Sequence, residues 1–266
     1  MKDISQAMVD DSSESILAFK KQNELIIKQN TYLKQLHKEL KGKSCDVIQT
    51  AERAFQAVVI FTQHEGGSGV CISEDGLILT CAHCVYDVDD EKDEINIRTT
   101  GIGINKTILF TSGDLCHTEC IAWDPIRDCA LLKIISSSSR TKVFQFISIL
   151  KSTAKSHLLL CIGQPGRDDL ESKTLKKTNY PLVYTSLGRF RGYLHGGKKL
   201  QNNSEIGQLK HNCWTYWGHS GAPLITQQGK LFGLHSSWDD KTTMRHGIPL
   251  VAIENFLKDF KNLEKN

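Results

Sequence analysis

Between residues 12 and 42 apolar residues recur at helical spacing. With Ile16 at heptad position a, Phe19, Ile26, Leu33 and Leu40 fall at d, while Asn23, Asn30 and His37 occupy the later a positions. Half of that seam is polar, so the pattern predicts a helix but not a stable coiled coil. Two roles stay open for it: a surface helix docked on its own domain, or a helix for self-association or partner binding. Gly42 is a plausible stop.

From Ala57 onward the period shortens to that of strands. A first series of β-rich runs reads AVVIFT, GVCI, LILTCA, INIRT, KTILF and CALLKII, separated by turn signals such as SEDG and TSGD. After the polar SSSSRTK near 136–142, a second series follows: HLLLCIG, PLVYTSLGRFRGYL, NCWTYW, APLIT, KLFGLHSSW and HGIPL. Two sets of about six short strands predict an all-β fold of sandwich or barrel halves. VAIENFLKDFKNL, residues 251–263, closes the chain as an amphipathic helix with Ile253, Phe256, Leu257 and Phe260 on one face. The expected organisation is an N-terminal helical extension (1–50) and a second unit (51–266). The latter comprises one half at about 55–140, another at about 155–250, and the terminal helix.

Composition narrows the function classes. A chain of 266 residues, 39% hydrophobic and 24% charged, can bury a sizeable core. The formal charge of +3, from 33 basic and 30 acidic residues, requires neither a nucleic acid nor a membrane partner. No apolar run approaches a membrane span. The opening MKDISQAMVDDSSES lacks the apolar core of a signal peptide and is too acidic for a transit peptide. With an odd number of cysteines, nine, the expectation is a cytoplasmic chain with reduced thiols. Cys81-x-x-Cys84 flanks His83 and raises a zinc or redox site. No second Cys/His pair stands at a ligand spacing, so no metal and no cofactor are expected.

Three separated segments carry the candidate chemistry. In TYWGHSGAPL (215–224), Gly218 and Gly221 let the backbone bend tightly around Ser220, so that the N–H groups of Gly218 and Ser220 can point at one spot, an oxyanion hole. The pattern is not the Gly-x-Ser-x-Gly elbow, because position 222 is alanine. In GGSGVCISEDGLILTCAHCV (66–85), a hairpin delivers His83 at the end of an apolar strand. In WDPIRDCALLKI (123–134), Asp128 stands at the margin of a buried-looking strand, where an unpaired carboxylate would be costly and a partner such as His83 would relieve it. Asp124 competes for that role, but Asp-Pro reads more naturally as a turn.

Taken in the order His83, Asp128, Ser220, these segments resemble the catalytic segments of chymotrypsin/trypsin-like (PA clan) serine peptidases. Within that clan the pattern is similar to intracellular and HtrA-type trypsin-like peptidase domains, over roughly residues 55–260. The resemblance implies two six-stranded antiparallel β-barrels with an active site between them. His83 would be general base and acid, Asp128 its orienting partner, and Ser220 the nucleophile that forms a covalent acyl-enzyme. Protein or peptide substrates are implied. The alternative is a catalytically silent member of the fold acting as a binding or scaffold module.

The departures from that family are informative. His219 stands where digestive relatives have the aspartate that pairs with a new N-terminus, so that mode of activation is not expected. Cys84 follows His83, yet the partner of the corresponding disulfide in secreted relatives is missing; a free, mostly buried thiol is expected. The chain ends at its terminal helix, so control through the PDZ domain of HtrA proteins is not expected. Trp214 occupies the position of trypsin's selecting aspartate and argues against a basic P1 side chain. GLHSSW (233–238) resembles the Gly-Ile-His stretch of glutamyl endopeptidases, which implies that His235 meets an acidic P1 side chain, with Ser236 or Ser237 beside it. A purely structural His235 stays open.

Overall fold

The computed structural model describes residues 3–63, 66–86, 101–139, 143–150, 158–169 and 176–263, with side chains of the first helix described from residue 14. The INIRT run lies outside the described residues. Helix α1 spans Asp3–Glu39, nine residues earlier at its start than the apolar pattern suggests, and ends before Gly42 (φ +84°). Its buried face is Ala18, Lys21, Leu25, Tyr32 and Leu36, continued by Leu40 just past its end, whereas Ile16, Phe19 and Ile26 of the heptad seam face solvent. The helix therefore docks on its own chain, and burying Leu25 and Leu36 contributes about 1.5–3 kcal/mol each. A second helix, α2 (Cys45–Gln56), follows and buries Ala51, Ala54 and Phe55.

The first half is a closed six-stranded barrel in the order β1-β2-β3-β6-β5-β4. Its strands are β1 (Val58–Phe61), β2 (Ser68–Cys71), β3 (Leu77–Thr80), β4 (Asn105–Phe110), β5 (Leu115–Asp124) and β6 (Cys129–Ser137). All residues of β1 and β2 are buried, which matches their unbroken apolar or small-residue runs. The β2–β3 hairpin closes where Gly76 N–H donates to Ser73 O (3.2 Å) and Leu77 N–H to Ser73 Oγ (3.0 Å).

The second half departs from the expected six strands: it is a seven-stranded sheet, ordered β8-β7-β11-β12-β13-β10-β9. Its strands are β7 (Leu159–Gly163), β8 (Tyr184–Gly188), β9 (Phe190–Tyr193), β10 (Leu209–His211), β11 (Pro223–Thr226), β12 (Leu231–Trp238) and β13 (Arg245–Pro249). The edge strands β8 and β9 are separated by Arg189 alone, so one long segment breaks and contributes to both ends of the sheet. The halves are laced together where Ser68 N–H donates to Ser220 O (2.8 Å). Helix α3 (Leu250–Leu263) buries Ala252, Ile253 and Phe256 against the body. No described helix is long and apolar enough to cross a membrane.

Candidate active site

His83 sits in a single 3-10 turn, Ala82–Cys84, directly after β3. The Trp123 indole N–H donates to Ala82 O (3.0 Å) and fixes that turn to β5. Asp128 ends the β5–β6 turn in a left-handed conformation (φ 54°) that aspartate tolerates better than most residues. Its carboxylate is nearly buried, and its Oδ1 lies 2.8 Å from His83 Nδ1 while also accepting the His83 backbone N–H (3.2 Å). Asp128 Oδ2 accepts the Ser236 hydroxyl (2.7 Å). A buried carboxylate with three donors is well compensated. Asp124 is elsewhere: it accepts the backbone N–H groups of Ile126 and Arg127 and pairs with the Arg127 guanidinium, as a turn residue does.

The Asp128 contact selects the tautomer with hydrogen on Nδ1, which leaves the Nε2 lone pair of a 39% exposed ring available as a base. Burial pulls the His83 pKa down, but the Asp128 charge, with Cys84 beside it, outweighs burial and holds it well above 6.5.

Ser220 lies between Gly218 (φ +89°) and Gly221 (φ +82°). A Cβ at Gly221 would come within 2.1 Å of Ser68 O, so glycine is required there on both steric and conformational grounds. Neither the Gly218 nor the Ser220 N–H donates to another described residue, so both stay available. The Gly218 carbonyl accepts the Ser68 hydroxyl (3.1 Å), and the Trp217 carbonyl accepts the Gly166 N–H (2.5 Å). Because a trans peptide points its N–H opposite its C=O, the second bond fixes the direction of the Gly218 N–H. The Ser220 hydroxyl itself donates to Ser236 O (3.0 Å), so it must turn about χ1 to reach His83. His219 is buried with Nδ1 against the Tyr216 backbone, and burial lowers its pKa to about 3, so it is neutral and cannot form an ion pair with an amine.

These groups line a cleft of about 740 Å³ that also contains Trp214, Ser237, Trp238 and Arg245. Trp214 stacks among Tyr180, Tyr184 and Tyr216. His235 is buried at the cleft wall with its Nδ1 3.0 Å from His211 Nε2; burial and the neighbouring His211 hold its pKa well below 6.5. Ser236 lines the cleft beside His235, with its hydroxyl on Asp128 and its carbonyl receiving Ser220. Ser237 Oγ and Arg245 Nε are buried without a partner among the described residues. Sequence reasoning missed Arg245 and the Ser236–Asp128 bond. The dipeptide Arg245-His246 that opens the final strand was the available signal for the first.

Cys81, His83 and Asp128 place ligand atoms within 4.8 Å of one another. The His83–Asp128 hydrogen bond already accounts for two of them, and burial pushes the Cys81 thiol well up, away from the thiolate a metal would need. Cys84 behaves oppositely: hydrogen bonding with Cys81, together with the His83 ring, lowers its pKa. All nine cysteines are free, and only Cys45 and Cys84 are not buried. Iodoacetamide is therefore expected to modify two thiols of the native protein, with loss of any hydrolytic activity tracking Cys84. Peptide mapping against time would contradict this if Cys84 stays unmodified or if its modification leaves activity intact.

A closed barrel and a second sheet flanking a Ser/His/Asp cleft define the chymotrypsin-like fold class. The family profile described as Trypsin-like peptidase domain matches residues 67–234, more than half of the chain, and the chain belongs to that family. A Peptidase S46 profile also matches residues 23–94. Serine protease HTRA1 of Xenopus tropicalis is 25% identical over 199 residues, which cover 74% of this chain and 36% of that protein. The chain thus matches little more than a third of the length of this relative. Among solved structures, the serine endoprotease from Yersinia pestis has a TM-score of 0.56 at 19% identity, covering 80% of this chain and 66% of that one. An inactive serine-to-alanine mutant of Rv3671c from M. tuberculosis H37Rv has a TM-score of 0.54 at 15% identity, covering 80% and 90%. These structural similarities establish the fold.

Proposed function

We propose that the protein is a serine endopeptidase that works through His83, Asp128 and Ser220. The observation that carries this is the buried Asp128 bonded to His83 Nδ1, beside a glycine-flanked Ser220 with two undonated N–H groups. In the first step His83 Nε2 takes the Ser220 Oγ proton as Oγ bonds to the scissile carbonyl carbon. The negative charge passes to the carbonyl oxygen, which the Gly218 and Ser220 N–H groups receive. The imidazolium, stabilised by Asp128, then gives its proton to the leaving amine as the C–N bond breaks. Water, deprotonated by His83, hydrolyses the acyl-enzyme and restores Ser220.

The cleft wall supports a substrate class within this proposal. Ser237 Oγ and Arg245 Nε, both without partners among the described residues, and the His235 ring favour an acidic P1 side chain, against which stand the exposed Glu205 and the His83-bonded Asp128 among the described lining residues. A carboxylate arriving there would stabilise protonated His235, which burial and the neighbouring His211 otherwise disfavour. The nine free thiols support a reducing, cytoplasmic setting as part of the same proposal.

A peptide library tests both levels. Cleavage after Glu or Asp is expected, and His235→Ala is expected to lower kcat/KM for a Glu P1 peptide about 10- to 100-fold, with a much smaller effect on a Gln P1 peptide. Cleavage after Lys or Arg would overturn the acidic assignment. Absence of any cleavage would overturn the endopeptidase reading.

A further inference from the structure

Lys21 of α1 is 2% exposed, a rare position for a lysine, and no carboxylate among the described residues is bonded to it. Its ammonium instead spends its three donors on neutral oxygens: Phe61 O (2.9 Å), Gln63 O (2.9 Å) and the side-chain oxygen of Gln164 (2.9 Å). That amide orientation is the one that satisfies every partner, since the Gln164 NH2 then donates to Phe61 O (3.1 Å) and Gly67 O (3.2 Å). Burial, with Arg167 nearby, lowers the Lys21 pKa to about 7, which shows what this placement costs the charged form.

The groups that Lys21 gathers belong to both halves of the molecule and lie directly behind the Ser220 loop. A Cβ at Gly218 would stand 2.7 Å from the Gln164 carbonyl oxygen, so the two backbones are in closest contact. The Gln164 N–H donates to Ser68 Oγ (2.9 Å), whose hydroxyl holds the Gly218 carbonyl. Two residues on, Gly166 N–H holds the Trp217 carbonyl and so orients the Gly218 N–H. Helix α1 grips this same segment a second time, one turn along, where Arg167 pairs with Glu24.

We propose that α1 is a built-in brace for the oxyanion loop, with Lys21 and Glu24 as positioning residues that hold segment 164–167 against Gly218. This rests on the endopeptidase reading above. It also supplies a physical reason why a loop carrying neutral His219 can be ordered: a side-chain ammonium in the second layer anchors the segment behind it. Lys21 and Glu24 touch neither the substrate cleft nor Ser220, so they act only through the direction of the Gly218 N–H.

The test uses the full chain with Lys21→Met, Glu24→Gln and, as an exposed control on the same helix, Lys20→Ala. Each is assayed for kcat and KM on the best library peptide and for affinity toward the matching peptidyl boronate, which forms a tetrahedral adduct on serine. Misdirecting one oxyanion donor is expected to lower kcat and boronate affinity together, about 10- to 100-fold for Lys21→Met and less for Glu24→Gln. KM is expected to change little and the control not at all. A merely structural role would lower the melting temperature without this parallel loss. Should Lys21→Met fail to fold, Glu24→Gln, altered only at a partly exposed side chain, carries the test. Folded variants whose kcat and boronate affinity stay within twofold of wild type overturn the brace while leaving the peptidase reading intact. A wild-type protein inert to the boronate overturns the peptidase reading itself.

Discussion

Ser220→Ala is expected to lower kcat about a million-fold on the best peptide while leaving substrate binding and the melting temperature nearly unchanged. The large effect arises because Ser220 Oγ is the atom that forms the covalent bond in the proposed mechanism, and no neighbouring group can replace it. Cys84 lines the same cleft, but its thiol donates to the Ser220 carbonyl (3.4 Å) and it lacks the glycine-flanked loop whose N–H groups face the oxyanion. The small stability effect follows because the hydroxyl makes one hydrogen bond, to Ser236 O, near the open cleft. Steady-state kinetics with a melting curve checks both halves; a folded Ser220→Ala protein retaining even a hundredth of wild-type kcat would contradict the assignment of the nucleophile.

Asp128→Asn is expected to lower kcat about 10,000-fold at neutral pH. The asparagine NH2 cannot accept the His83 Nδ1–H, so the ring is driven to the tautomer that presents hydrogen, not a lone pair, toward Ser220. The pH profile separates this from a general loss of structure. In the wild type, burial lowers the His83 pKa but Asp128 raises it further, to well above 6.5. Activity therefore falls on acidification through that raised value, where imidazolium can no longer accept a proton. Removing the carboxylate leaves burial as the main influence, so the acid limb of the much weaker Asp128→Asn activity is expected at lower pH. The linked stability runs the other way. A histidine pKa raised in the folded state stabilises fully below its unfolded value, and that contribution fades as pH rises through the folded value. An acid limb that does not move, or a loss smaller than tenfold, would contradict the role of Asp128.

Much of this site was legible in the chain because its parts are local. Gly218 and Gly221 are demanded by positive φ within four residues of each other, and the β2–β3 hairpin carries His83 at its end by strand connectivity alone. Other parts depend on long-range contacts. Strand β5 escaped the apolar pattern because its inward residues Cys116, Thr118, Cys120 and Ala122 are small and in part polar, alternating with His117 and Glu119, so no large-apolar alternation stands out. NCWTYW reads as a strand, yet it makes no ladder: Asn212 Oδ1 takes the Arg189 N–H (2.6 Å) and Trp214 O takes the Ser186 hydroxyl (2.8 Å). The bond from Ser236 to Asp128 was not legible because β12 changes register against β13 between His235 and Ser237. Such an irregularity breaks the simple alternation of a strand, so spacing alone does not tell that the Ser236 hydroxyl reaches Asp128. Lys21 gave no local sign of its burial, since a lysine on a polar-seamed helix ordinarily belongs in water.

The central claim, that Ser220 is the nucleophile of this site, is tested most directly by intact-mass analysis of the protein after treatment with a fluorophosphonate. The account predicts one adduct per wild-type chain, mapped to Ser220, and none on Ser220→Ala under the same conditions. Wild-type protein that stays unmodified where a known serine peptidase reacts fully, or an adduct that persists in Ser220→Ala, would contradict it.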